Sequence, residues 1–442
     1  LSDMGAAAAF TVLIAVLIAL TLLPAVLGLF GRKAFAGKVP FVKSRDFEGG
    51  ASEATGNGSD SETGTAAHRF ARLLTRKPVM FLTAGVLLLG LFAIPATQLA
   101  LALPNESTGD PATSSRQAYD LIDRGFGEGK NGPLLVVADA QHATVPAQEA
   151  FDKVIATIER QDDVANAQIG AVNRAGDTAQ ILVTPKSGPT SDATKQLVQD
   201  LRNAEGELHS NFAVSYGVTG QTAMEIDISK TLQDALVPYL AVVVGLAFLL
   251  LMLVFRSILV PLTATLGFLL SVGATFGATV AIFQEGWGGI ISNPQPIVSF
   301  MPIFLIGVVF GLAMDYQVFL VSRMREEYAH GMSAKDAVVA GYGHGARVVT
   351  AAAVIMMSVF AAFMAEPDSF VKAMGFALAA AVFFDAFVVR MVIIPSLMAL
   401  LGDKAWWLPQ WLDRLLPNVD VEGAKLEERY PRDESRELEP AR

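Results

Sequence analysis

An aspartate followed directly by a tyrosine, Asp315-Tyr316, stands inside the predominantly apolar stretch from Ile297 to Val321. A carboxylate at the centre of a membrane helix costs roughly 2.5–3.5 kcal/mol, so such a residue is expected to carry a proton or ion and to face other helices. The competing reading is structural, with the acid locking two helices together through a hydrogen bond. Gly307, Gly311 and Asp315 recur every four residues and so share a helix face. The two glycines would let a neighbouring backbone pack against that face and bury the carboxylate. Burial favours the uncharged form of a carboxyl group, which brings both uptake and release of a proton within reach near neutrality. The Tyr316 hydroxyl, one residue on, either relays that proton or belongs to an ordinary packing aromatic.

Three more polar residues lie within apolar stretches. Asp385 and Arg390 are five residues apart, which on an α-helix places them on different faces and argues against their pairing. At 1.5 Å per residue, Asp315 lies roughly 12 Å above Arg323 and Arg390 roughly 16 Å above Leu401. These similar depths leave open an Asp315–Arg390 contact, and equally a snorkelling of Arg390 to the inner headgroups. Ser358 reads as a helix-packing serine or a polar relay. The chain has no cysteine, which excludes disulfide and thiolate chemistry, and its five histidines show no ligand spacing. No Ser/His/Asp grouping, carboxylate cluster or glycine-rich phosphate loop is present, so neither enzyme, metal nor cofactor is expected.

The elements that must position these residues are long helices. Hydrophobic residues make up 52% of the chain and the mean hydropathy is +0.44, with the apolar residues gathered into blocks, as in a polytopic membrane protein. About 20 apolar residues span the hydrocarbon, and seven stretches qualify: Ala6–Phe30, Val79–Leu99, Ala235–Phe255, Leu259–Phe283, Ile297–Val321, Val348–Ala365 and Phe370–Leu401. Lysine and arginine favour cytoplasmic loops. Arg32, Lys33, Lys38, Lys43, Arg45, Arg69, Arg72, Arg76 and Lys77 therefore place the first linker inside. Alternation then puts Gln98–Asp234, with nearly twice as many acidic as basic residues, outside. The loop at Ser322–Arg347 and the tail from Gly402 fall inside.

The segments divide as follows. Met4-Gly5 and Leu22-Leu23-Pro24 echo Met374-Gly375 and Ile393-Ile394-Pro395, with one residue of slippage. Residues 1–33 are thus expected to be the last transmembrane helix of a truncated first repeat, the rest of which is missing from this fragment. Residues 34–77 form a cytoplasmic linker, rich in Gly, Ser and Glu up to Gly64, then resuming helical spacing with basic residues over Ala66–Thr75, as a helix on anionic lipid would. Residues 78–99 form a transmembrane helix and 235–401 a five-helix bundle, with 402–442 as cytoplasmic tail. Between them, residues 100–234 read as an extracytoplasmic α+β domain of βαβ type. Its strands fall at Leu134–Ala138, Thr178–Thr184 and Phe212–Val218, and its helices at Ala147–Gln161 and Asp192–Leu208.

Several strings together carry a family likeness: Gly311 through Met314-Asp315-Tyr316, Ser322-Arg323-Met324-Arg325-Glu326-Glu327, Gly345-Ala346-Arg347-Val348-Val349-Thr350 and Phe384-Asp385-Ala386-Phe387-Val388-Val389-Arg390. The chain resembles the second half of the MMPL (mycobacterial membrane protein large) family, within the resistance–nodulation–division superfamily of proton-driven exporters. That resemblance implies twelve spans in two repeats and a porter-like outer domain in each. It implies proton-driven export of lipids or other hydrophobic compounds across the cell membrane of a bacterium, with Asp315-Tyr316 as the proton-carrying pair of the second repeat. The partners expected are the bilayer, a hydrophobic or lipid cargo and the missing first repeat. A homo-oligomer is compatible with this, and nucleic acid is not expected. The alternatives are a non-transporting lipid-sensing receptor or assembly factor, in which the aspartate only packs, and a protein-export accessory that uses an intramembrane acid.

Overall fold

A computed structural model describes residues 2–30, 66–109, 111–289, 291 and 294–415. It divides into two units, Leu1–Glu62 and Thr63–Arg442. In the first, helix α1 (Ser2–Phe30) is apolar throughout, with Pro24 inside it. Its polar hydroxyls are satisfied locally, Thr11 donating to the Ala7 carbonyl at 2.9 Å and Thr21 to that of Leu17 at 2.6 Å. The expected linker up to Gly64 and the tail beyond Leu415 lie outside the described residues.

The second unit opens with the short helix α2 (Ala66–Arg76) and the span α3 (Pro78–Ala93). Proline at the first position of α3 fits because that N–H would have no intrahelical acceptor. Strand β1 (Leu101–Ala102) leads to α4 (Ser114–Phe126) and then to a compact set of elements: β2 (Leu134–Asp139), α5 (Ala147–Glu159), β3 (Val164–Val172), β4 (Thr178–Pro185), α6 (Asp192–Phe212) and β5 (Ser215–Thr219). The strands lie in the order β3-β4-β2-β5 with every neighbour antiparallel, the split βαβ arrangement of a ferredoxin-like domain. Alternation decides the buried face, since Leu134, Val136 and Ala138 of β2 and Ala179, Ile181 and Val183 of β4 all point inward. Phe151, Val154 and Ile158 of α5 and Leu197, Val198 and Leu201 of α6 cover them. The sequence reading omits β3, whose burial follows no simple alternation and whose ladder to β4 is broken by two register shifts. Tyr216 of β5 donates to the Leu201 carbonyl at 2.5 Å, and burial pushes its phenol up to about 12.

Helix α7 (Gln221–Phe255) joins this domain to the spans. With 35 residues it is about 52 Å long, well beyond the roughly 30 Å of hydrocarbon, so one end must stand outside the membrane. That end is built into the sheet-bearing domain: Ala223 is part of the domain's core, and Asp227 takes a two-pronged ion pair from Arg202 of α6 at 2.6 and 2.7 Å. The other end packs Leu251 and Phe255 into the core of the spans and stops at Arg256, which turns the chain with φ 47°. Helix α8 (Leu259–Thr279) follows; then β6 (Ile297–Val298), which pairs parallel with β1; then α9 (Met301–Ala329), α10 (Ala334–Ala362) and α11 (Ser369–Phe383). A π-helical stretch, Phe384–Ile393, and α12 (Ile394–Leu401) complete the last span. Among the described residues seven helices are long and apolar enough to cross a membrane, so the protein is a polytopic α-helical membrane protein carrying a small sheet-bearing domain.

One expectation needs correcting. Helix α2 does not simply lie on lipid: it packs against α10 and α12 and buries Ala71 and Leu74 completely. Part of its apolar face is covered by protein, while Arg69, Arg72 and Arg76, with Phe70 and Leu73 beside them, remain open.

Candidate functional site

Helix α9 presents two functional faces. Gly311 and Asp315 lie on one, as their four-residue spacing requires, and both are exposed. They line a cleft of about 600 Å³ whose other walls are apolar: Leu246 and Leu250 of α7, and Phe310, Met314 and Phe319 of α9 itself. No hydrogen bond or ion pair reaches Asp315 from the described residues. The expected packed seam is therefore present only at one end. A Cβ on Gly307 would come within 2.8 Å of the Tyr239 hydroxyl of α7, whereas one on Gly311 would meet nothing within 4 Å. The two helices close at Gly307 and diverge towards Asp315, so the described residues of this unit leave the carboxylate exposed.

The opposite face holds Ala313, Tyr316, Gln317 and Leu320, all buried. Here the expectation from α-helical spacing, that Asp385 and Arg390 face apart and do not pair, is overturned. Arg390 Nε donates to Asp385 Oδ2 at 3.1 Å, and the two residues are 0% and 2% exposed. The reason is the π-helical stretch, which starts one residue before Asp385. Its i→i+5 ladder brings residues five apart onto one face, where an α-helix would separate them. Pro395 sits just beyond, with no N–H to return to the preceding turn, at the point where α-helical winding resumes. Arg390 also donates through Nη1 to Gln317 Oε1 of α9. Both roles left open for Arg390 are thereby excluded: it neither contacts Asp315 nor snorkels to the headgroups.

Sequence reasoning missed Gln317, although a glutamine in the same apolar run as Asp315 was the signal. Three atoms of the triad, Asp385 Oδ1, Arg390 Nη2 and Gln317 Nε2, have no protein partner among the described residues. The Tyr316 hydroxyl donates to the sulfur of Met356 on α10 at 3.1 Å and so points away from Asp315. Ser358 belongs to neither face: it is exposed, and its hydroxyl bonds back to the Val354 carbonyl at 2.7 Å. The structure thus brings Tyr316, Asp385 and Arg390 to the interior, Gly311 and Asp315 to an open cleft, and leaves Ser358 apart.

A second cavity, of about 750 Å³, lies where the sheet-bearing domain meets the spans. Leu99, Leu101 and Leu103 form an apolar wall, and Lys195 of α6 with Glu225, Lys230 and Gln233 of α7 form a polar one. The same helix, α7, therefore lines both cavities.

This combination, an ionisable residue on a membrane helix tied by one long helix to a ferredoxin-like domain, accords with the comparisons. The model of the MMPL family matches residues 1–80 and 107–419. The chain belongs to the MMPL family. It is 44% identical over 429 residues to the membrane protein YdfJ of Bacillus subtilis, covering 96% of this chain and 56% of that protein. It is 31% identical over 430 residues to the mycolic acid-containing lipids exporter MmpL11 of Mycolicibacterium smegmatis, covering 96% of this chain and 44% of the relative. The trehalose monomycolate exporter MmpL3 of Mycobacterium tuberculosis is 31% identical over 437 residues, covering 93% and 46%. The chain spans about half the length of these relatives.

Proposed function

We propose that this MMPL chain acts as one half of a proton-driven exporter of lipids or other hydrophobic compounds, with Asp315 as its proton carrier. The observation that carries this reading is an unpartnered carboxylate on an otherwise apolar, outward-facing cleft of a membrane helix. Facing hydrocarbon, that acid is expensive when charged, so further helices must cover the cleft, and a second repeat of the same architecture is the natural partner. Once covered, Asp315 has two states with different preferences. Neutral, it tolerates the apolar walls; charged, it requires water, a hydrogen-bond donor or a cation. Each proton that crosses the membrane down a 100 mV potential releases about 2.3 kcal/mol, enough to bias two packings of comparable stability.

The fold supplies a route from proton to cargo. Any shift of α9 is felt by α7, which touches Gly307 through Tyr239 and forms the opposite wall of the Asp315 cleft. Because α7 continues unbroken into the outer domain and is clamped there by Arg202–Asp227, the shift reaches the cavity at the base of that domain. An amphipathic cargo suits this cavity, with chains against Leu99–Leu103 and polar atoms towards Lys195, Glu225, Lys230 and Gln233. Tyr316, on the inner face of α9, ties the same helix to α10, and the Asp385–Arg390–Gln317 triad holds it to the last span. The atoms of the triad that lack protein partners are where water would join the network.

The test is Asp315→Asn in the full-length protein, reconstituted in liposomes with an imposed pH gradient. Asparagine keeps size and hydrogen bonding but does not titrate. The expected outcome is loss of gradient-dependent lipid export with an unchanged melting temperature. Export at the wild-type rate, with unchanged dependence on the gradient, would show that Asp315 carries no proton.

A further inference from the structure

We infer that the open face of α2 binds the phosphate headgroups of anionic phospholipids in the inner leaflet, so that the protein carries a lipid-sensing contact separate from its cargo path. Arg69, Arg72 and Arg76 are exposed, and no ion pair with another described residue engages them. At about 100° per residue, the three guanidinium groups fall within roughly 60° of one another around the helix. The exposed Leu73 and Phe70 follow on one flank, at 46% and 37% exposure. A basic stripe bordered by an apolar one is what a helix at the boundary between headgroups and acyl chains requires.

Three features hold the face at that level. Only Lys77 separates α2 from α3, so the basic helix sits at the mouth of a span. The buried side of α2 is fixed to the bundle: Ala71 and Leu74 are 0% exposed, and Phe70 meets the rings of Tyr342 and Phe81 at 6.2 and 6.3 Å. Gly343 of α10 leaves room for the His68 ring, where any larger residue would collide. The face is therefore pre-formed. Finally, α12, against which α2 packs, runs directly into Trp406 and Trp407, aromatics of the kind that settle at membrane interfaces. Guanidinium groups match phosphate oxygens two at a time, which selects an anionic phosphodiester over a zwitterionic headgroup whose own ammonium competes.

The contact would bear on α10. Since α2 packs on α10 and α10 packs on α9, lipid binding at the inner surface would stabilise the arrangement that holds Tyr316 against Met356.

The experiment uses the whole 442-residue chain in a neutral detergent, with dissociation constants for phosphatidylglycerol and phosphatidylcholine measured by native mass spectrometry. Phosphatidylglycerol is expected to bind in preference. Each single Arg→Gln change should weaken it roughly fivefold, and Arg69→Gln/Arg72→Gln/Arg76→Gln together on the order of 100-fold. The triple Arg→Lys variant keeps the charge but not the two-pronged geometry, so it should bind more weakly than wild type and clearly more tightly than the glutamine variant; if it loses binding as fully as the glutamine variant, the loss is structural and the inference fails. Equal binding of the two lipids, unchanged binding in the triple glutamine variant, or full displacement by glycerol phosphate would each overturn it. So would an absence of phosphatidylglycerol binding by the wild-type chain, the result expected if the acidic Asp46, Glu48, Glu53, Asp60 and Glu62 occupied the arginines instead.

Discussion

The two membrane acids of this chain occupy opposite situations. Asp385 is buried, is held by Arg390 at 3.1 Å, and shares that arginine with Gln317 of another helix. Asp315 is exposed on an apolar cleft and is held by no described residue. A carboxylate locked to a guanidinium has little freedom to change charge, because losing the charge strands its partner. A carboxylate without a fixed partner can change charge while its surroundings rearrange. On the proposed reading the difference separates a fastening from a moving part: Asp385, through Arg390 and Gln317, ties the last span to α9, and Asp315 is the residue proposed to carry the proton.

The largest expected effect follows from breaking the fastening. Arg390→Met leaves the Asp385 carboxylate buried and unpaired, which should destabilise the protein by about 3–5 kcal/mol in detergent. Asp385→Leu should act in the same direction by stranding the guanidinium. Removing both charges together, as Asp385→Leu/Arg390→Met, should recover most of the loss, since a well-packed apolar pair often replaces a buried ion pair at little cost. Thermal unfolding of the four proteins as a double-mutant cycle measures this. Additive losses would mean that the two residues do not act as a pair.

A second change asks whether the π-helical winding makes the pair. Exchanging two residues, Val388→Arg/Arg390→Val, keeps composition and charge but moves the guanidinium to the i+3 position. On an α-helix this would keep it close to the face of Asp385; on the wider turns of the π-helical stretch it carries it away. The exchange should therefore destabilise the protein nearly as much as Arg390→Met, and stability equal to wild type would argue for α-helical winding.

That winding marks the limit of what the residues alone disclose. The apolar blocks, the seven spans and the polar outliers are legible because burial in hydrocarbon imposes composition directly. Helices α5 and α6 and strands β2, β4 and β5 of the sheet-bearing domain are legible through their periodicities, while β3 escapes because its face is irregular. The pairing of Asp385 with Arg390 was misjudged because facing was counted at 3.6 residues per turn. A trace of the true winding was nevertheless present: the interval from Gly375 to Pro395 is one residue longer than that from Gly5 to Pro24 in the segment it echoes. Helix α1 runs over its interval as continuous α-helix, whereas the longer copy takes up its extra residue in the π-helical stretch. For Asp315, the face was legible and its surroundings were not. Periodicity places Gly311 and Asp315 together, but whether a helix covers them depends on contacts distant in sequence.

A smaller effect tests that open face. With nothing within 4 Å of its Cβ position, Gly311→Ala should stabilise the isolated chain by roughly 0.5–1 kcal/mol through helix propensity alone. In the full-length protein, where the proposed first repeat would close over the cleft, the same methyl group should meet that surface and remove the gain. Identical stabilisation in both settings would mean that the cleft stays open.

The smallest expected change in stability is also the most direct measure of the contrast between the two acids. In this chain Asp315→Asn breaks no hydrogen bond, ion pair or packing contact given by a described residue, so its melting behaviour should stay within about 0.5 kcal/mol of wild type. Asp385→Asn, an identical chemical change, removes the charge that holds Arg390 and should be plainly destabilising. Both variants are measured in the same detergent by thermal unfolding, with retention of monodisperse protein as the control. If Asp315→Asn proves as costly as Asp385→Asn, then Asp315 has a fixed partner that holds it charged, and it too is a fastening. If the two diverge as expected, loss of export by Asp315→Asn in the full-length protein can be assigned to titration, because the fold will already have been shown not to need the charge.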